Sequence, residues 1–222
     1  KRLGAVILTR DVSEVHRHEQ ELMTKDATIR EIHHRVKNNL QTVSALLRLQ
    51  SRRSSEEAVK VALAEAERRV QAIATVHAAL SQNVDESVDF DEVARTIVRM
   101  AGAIASTDHA VEVITTGSFG TIQADQAQAL ATVLNELVAN SVEHGLADRD
   151  GLIEVRAERL GSSMTVTVAD NGVGFVPGTP MSGLGTQIVH QMVRGELKGS
   201  IEWAPREGGG TLVTLHANLD PA

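Results

Sequence analysis

Residues 31–50 read EIHHRVKNNLQTVSALLRLQ, with two adjacent imidazoles, His33 and His34, set among Arg30, Arg35 and Lys37. A neutral imidazole is a nucleophile and a proton carrier near neutral pH. At ~100° per residue, Ile29, Ile32, Val36, Leu40, Val43 and Leu47 gather around one direction of a helix. His33 falls ~40–60° from that direction, at the edge of the packed stripe, and His34 ~150° away, facing solvent. The spacing predicts one packed histidine and one exposed one.

A second set of candidate groups lies in the C-terminal half. Glu136 and Asn140, in LNELVANSVEH, stand four apart and share a helical face. A carboxylate and an amide oxygen there can hold a hydrated Mg2+, although a solvated polar face has the same pattern. In TVTVADNGVGF an alternating strand delivers Asp170, then Gly172 and Gly174. A carboxylate at that point can accept an adenine amino group while glycines let backbone approach a nucleotide. A plain Asn-Gly hairpin turn reads from the same residues. SGLGTQIV sets Gly183, Leu184 and Gly185 at the start of a helix, where free N–H groups and the helix dipole favour phosphate; a simple glycine-rich loop shares that composition. GGGTLVTL carries Thr211 into a terminal strand. No P-loop occurs, and Pro177 and Gly178 stand where a Rossmann turn would open its helix.

The elements that must position these groups follow from periodicity. LGAVILTRDVSEV opens β-rich and turns helical near Asp11–Ser13. Val15, Leu22, Ile29, Val36 and Val43 then recur every seven residues, one edge of a coiled-coil seam whose other edge is poor at His18 and Lys25 and better at Ile32 and Leu46. A helix over about 13–52 follows. Ser54 or Ser55 before two acids predicts a second helix start, continued by Val59, Leu63, Ala66, Val70, Ile73, His77 and Leu80. Two such helices make a hairpin whose apolar stripe asks for a second copy, a four-helix bundle as a dimer. Beyond SQNVDESVD the reading is a helix (89–105), a strand (AVEVITTG), a helix (125–145), strands LIEVRAERL and SMTVTVAD, a helix from Thr186 and a last hairpin: an α+β sandwich with helices on one side of a mostly antiparallel sheet.

The totals exclude several functions. The net charge of −7 argues against direct nucleic-acid binding, and Phe90, Phe119, Phe175 and Trp203 are too few aromatics for base stacking. The absence of cysteine removes thiolate chemistry and fits a reducing compartment such as the cytoplasm. No membrane segment or leader is visible. Basic residues crowd Arg30–Arg53, a surface suited to an acidic partner.

The ordered motifs ELxxN, DNGxG, GLG and GGT resemble the ATP-binding domain of the GHKL superfamily. The resemblance implies that Asn140 chelates Mg2+, Asp170 binds adenine, Gly172, Gly174, Gly183, Leu184 and Gly185 shape the pocket and a short lid, Thr211 sits near the base and His144 lies close to the nucleotide. Glu143 stands where many relatives carry a phosphate-binding lysine. HHRVKNN on the hairpin resembles the acceptor helix of HWE-like sensor histidine kinases. The longer run MTKDATIREIHHRVKNNLQTVSALLRLQ is similar to actinobacterial sensor kinases that signal to ANTAR-domain, RNA-binding antiterminator regulators, and LGAVILTRDVSEV resembles the end of a PAS sensor domain.

The resemblance implies a C-terminal PAS remnant over 1–12, a signalling helix and phosphotransfer hairpin over 13–84, and a GHKL catalytic domain over 85–222. The expected activity is Mg-ATP-dependent autophosphorylation, then transfer to an aspartate of a response regulator. A phosphoacceptor must be exposed, which selects His34. Cationic Arg30, Arg35 and Lys37 disfavour a protonated imidazole and offer charge to the transferring group. Arg35 occupies the place of the acid that follows the acceptor in many relatives, so Glu31 is the expected base. Asn38, one turn on, stands where relatives orient water for dephosphorylating the partner. Rival readings are a GHKL ATPase without phosphohistidine, with Glu136 activating water, and a non-enzymatic dimeric scaffold.

Overall fold

The computed structural model describes residues 13–81, 87–102, 109–146, 149–175 and 183–220. The expected PAS remnant at 1–12, the end of the helix predicted to 105, and the span 176–182 between Gly174 and Gly183 lie outside them, as do the side chains of Val15, His16, His18, Leu22, Lys25 and Arg30.

Helix α1 (Ser13–Arg53) and helix α2 (Glu57–Leu80) form the predicted antiparallel hairpin. The second helix starts later than the serines suggest. Ser54 accepts a hydrogen bond from the Glu56 backbone N–H at 3.2 Å, so it shapes the turn, and Glu56 stands at the cap without a side-chain bond. Arg48 and Gln71 both donate to Glu67, and Gln71 also donates to Ser44, pinning the register of the two helices.

Strand β1 (Ser87–Asp89) pairs with β3 (Thr121–Gln123) in a two-stranded sheet that the sequence reading does not contain. Helix α3 (Phe90–Gly102) starts directly after β1, and the Asp89 carboxylate accepts from the Asp91 N–H at 3.0 Å. The main sheet orders its strands β2 (Val111–Gly117), β4 (Gly151–Leu160), β5 (Ser163–Asp170), β7 (Thr211–Asn218) and β6 (Ser200–Pro205). All its pairs are antiparallel except β2 with β4, because the chain leaves β2 through helix α4 (Ala124–Asn140) before returning as β4.

The inward residues of β4, β5 and β7, among them Ile153, Val155, Val166, Val168 and Leu215, pack under α4 and helix α5 (Leu184–Gly195). One sheet face is buried and the other carries Arg156 and Glu158 into solvent. Phe90 and Phe119 meet at 5.2 Å between ring centroids beneath α3. Val76 and Leu80, at the end of α2, are fully buried and belong to this same core.

The predicted helix over 125–145 is regular only to Asn140. Its last turn, Ser141–Gly145, opens into a π-helical turn closed by the Leu146 N–H bonding Ser141 O at 2.9 Å. No described helix is long and apolar enough to cross a membrane.

Within the hairpin, His33 and His77 face each other with Nδ1···Nδ1 at 3.1 Å and ring centroids 5.3 Å apart. Burial pushes the His77 imidazole below its ordinary value of 6.5, and the neighbouring His33 adds to the shift. The unfolded chain therefore takes up that proton first as pH falls. The stability His77 contributes is present above about pH 6.5 and lost below it. The melting temperature should fall between about pH 7.5 and pH 5.5, and fall less in His77→Gln. Equal slopes, measured by circular dichroism melts, would refute this.

Candidate active site: an acidic cavity and an exposed histidine

Asp170 ends β5 inside the fold, only 3% exposed. A buried carboxylate needs donors. Its Oδ1 accepts from the Gly172 N–H at 2.9 Å and the Thr211 N–H at 3.2 Å, and no described residue bonds Oδ2. The second oxygen is thus available to a ligand amino group on the cavity side.

Close backbone approach around this carboxylate requires glycine. A Cβ on Gly172 would stand 2.1 Å from Gly145 O, and one on Gly210 would stand 2.0 Å from Asp170 O. Gly145 belongs to the π-helical turn, and its carbonyl accepts the Val173 N–H at 3.0 Å. The widened turn and the DNG loop therefore lock onto one another.

The cavity beside Asp170 measures about 340 Å3. Asn140, Glu143, His144, Gly174, Gly183, Leu184, Gly185 and Thr211 border it, along with Glu136 at its far wall. Of the residues that the motifs singled out, these border the cavity, gathered from α4, the π-helical turn, α5 and β7 around Asp170 of β5, whereas Gly172 lies behind Asp170 and does not line it. Gly185 comes so close to Glu136 that a Cβ would lie 2.4 Å from Oε2. Leu184 is exposed at the mouth.

The cavity suits a nucleotide with a metal ion. Asp170 and its glycine cradle fit a flat heterocycle with an amino group. The Asn140 side chain, on the cavity wall, has no hydrogen-bond partner among the described residues and can offer its oxygen to Mg2+. Glu136 is already engaged. Arg69 of α2 grips it through two bonds, Nε to Oε1 at 2.8 Å and Nη2 to Oε2 at 2.9 Å, and the Glu136 hydrogen bond raises the guanidinium above its ordinary value. Next to it Arg68 pairs with Glu143 at 2.8 Å.

Motif reading missed Glu65, Arg68, Arg69, Phe175 and Trp203, all of which border the cavity. The arginines sit on α2, 67 residues before the carboxylate that Arg69 holds, and no local pattern marks such a pairing.

On the hairpin, His34 is exposed and His33 half-buried against His77. Lys37 is half-buried and Asn38 exposed, one turn along. The Glu31 carboxylate accepts Arg35 Nε at 2.9 Å and Nη2 at 2.6 Å. It is turned along the helix to i+4 and has no bond to His34. No described α1 residue borders the cavity, so His34 does not line the nucleotide site in this state.

Comparison with known proteins agrees with both halves. Residues 31–104 match the family described as histidine kinase, and residues 125–221 match the histidine kinase-, DNA gyrase B-, and HSP90-like ATPase family. The sensor histidine kinase PdtaS of Mycolicibacterium smegmatis is 47% identical over 99% of this chain and 45% of its own length. The PdtaS of Mycobacterium tuberculosis is 46% identical over 97% of this chain and 44% of its own. The chain thus spans less than half the length of these relatives. Among solved structures, the histidine kinase domain of an Erythrobacter litoralis blue-light activated histidine kinase shares the fold, with TM-score 0.58 and 22% identity over 90% of this chain and 94% of that one. With a histidine-kinase segment leading into a GHKL ATPase segment, and with relatives alike along nearly its whole length, the chain belongs to the HWE-type sensor histidine kinases.

Proposed function

We propose that this chain is the transmitter core of a cytoplasmic sensor kinase, phosphorylating His34 from Mg-ATP and passing the phosphoryl group to an aspartate of a response regulator. The observation that carries the reading is a solvent-facing imidazole, His34, on the same chain as a glycine-cradled cavity centred on Asp170. In the transfer, a neutral His34 nitrogen forms a bond to the γ-phosphorus, the bond from that phosphorus to the β,γ-bridging oxygen breaks, and ADP leaves. The imidazole sheds its proton to a base. Glu31 fills that role once it releases Arg35, whose guanidinium then faces the incoming phosphate. Mg2+, bound at Asn140, would neutralise phosphate charge. Lys37 adds positive charge one turn from the acceptor, and Asn38 orients water for dephosphorylating the regulator. Residues 13–84 serve as signalling helix and transfer hairpin, and 85–222 as the catalytic unit.

The resemblance of the acceptor helix favours an ANTAR-domain antiterminator as the regulator. Exposed apolar side chains on the hairpin, Ile32, Val43, Leu46 and Leu49 with Val59 and Val61, favour a second copy that completes a four-helix bundle.

Incubation with γ-labelled ATP should give acid-labile, alkali-stable label on wild type and on His33→Gln and none on His34→Gln. Label lost only in His33→Gln would move the acceptor, and phosphate release without labelled protein would favour a hydrolase. Asp170→Asn keeps an acceptor oxygen for the loop and loses the charge, so ATP affinity should drop about tenfold or more, or ~1.4 kcal/mol, with the melting transition retained; unchanged affinity by calorimetry would remove Asp170 from adenine binding. Leu46→Arg should convert a dimer to a monomer in sedimentation velocity, and a wild type that already sediments as a monomer would sink the bundle.

A further inference from the structure

The two arginines of α2 point into a site where, in the kinase reading, neither has a task. Arg69 is 15% exposed and grips Glu136, itself 8% exposed, with both carboxylate oxygens engaged; Glu65 adds a third contact to Arg69 at 3.4 Å. Arg68 is 16% exposed and holds Glu143 on the rim. Adjacent residues of one helix point ~100° apart, so these two reach separate parts of the nucleotide unit. They grip it at two points, Glu136 in α4 and Glu143 in the π-helical turn.

The place of this grip along α2 decides what it does. His33, next to the acceptor, sits at the level of His77. Arg69 lies eight residues earlier, ~12 Å along the helix axis. Among the described residues, the hairpin lines the cavity only with Glu65, Arg68 and Arg69. A nucleotide held at Asp170 therefore meets α2 about 12 Å along the helix axis from the level of His77, whereas transfer needs the reacting atoms ~3–3.5 Å apart.

From this, and resting on the kinase reading, we propose that Arg68 and Arg69 form a clamp that parks the nucleotide cavity against α2, out of reach of the chain's own His34, and that must open before phosphoryl transfer. Glu136 and Asn140 share the helical face that would hold Mg-ATP, so the carboxylate that closes the clamp belongs to the site the nucleotide enters. Triphosphate oxygens compete for Arg69, which makes the clamp weaker when the site is filled.

The chain has no native cysteine, so spin labels at Gln50→Cys and Leu160→Cys, both on exposed positions, read the distance between hairpin and sheet in the intact chain. With the labelled chain diluted in an excess of unlabelled chain, so that each dimer carries one labelled copy, the clamp predicts one narrow distance distribution. Arg68→Glu should broaden or displace it and raise the rate of His34 labelling by about fivefold or more, and adding Glu143→Arg should restore both. A distribution unaltered by Arg68→Glu overturns the clamp, as does a displaced one with an unchanged or lower labelling rate. A displaced and charge-swap-restored distribution with no label in any sample keeps the clamp and defeats the kinase reading instead.

Discussion

The nucleotide half is organised by a charge that must not be left alone. Asp170 sits at the end of a central strand with almost no solvent contact, and an ionised carboxylate in such a place costs several kcal/mol unless donors surround it. The fold answers with two backbone N–H groups, from the loop after β5 and from the first residue of β7. Side chains at those approaches would collide with backbone, which forces glycine at 172 and 210. The same demand explains the π-helical turn, whose Gly145 carbonyl anchors the loop that carries Gly172. One desolvated charge thus accounts for glycines scattered along some sixty-five residues, from Gly145 to Gly210.

The hairpin solves a different problem, that of keeping one imidazole wet beside a packed seam. Adjacent histidines on a helix diverge by ~100°, so packing one exposes the other. His33 uses its ring to meet His77 across the seam, and His34 is left to solvent. The pair is one device with two halves, a packed imidazole and an exposed one, and in the proposed kinase the exposed half is the reactive group.

Legibility followed the range of the interactions. The long strands at 151–160 and 163–170 showed in alternation, and the hairpin faces showed in helical period, because both patterns repeat locally. Strands β1 and β3 did not, since three residues each give no alternation to detect. The cavity residues were legible as ordered motifs, whereas Arg68 and Arg69 were not, because their partners lie far along the chain and nothing beside them in sequence requires charge. Ser54 was misread for a related reason: a hydroxyl before two acids serves a turn as well as a cap, and only the Glu56 N–H bond tells which. Glu31 was assigned toward His34, and the structure turns it to Arg35 at i+4, a pairing that helical spacing favours on its own.

Val76 and Leu80 end the second hairpin helix inside the core of the sheet unit. The boundary drawn by motif at residue 85 is therefore not a boundary in folding free energy. A fragment beginning at Ser87 would display the vacated apolar seat of both side chains, while a hairpin cut at Ser81 would lose the burial that orders its last turn. Melting of one part must then be felt by the other, and strain applied along α2 arrives at the sheet as a pull on its interior.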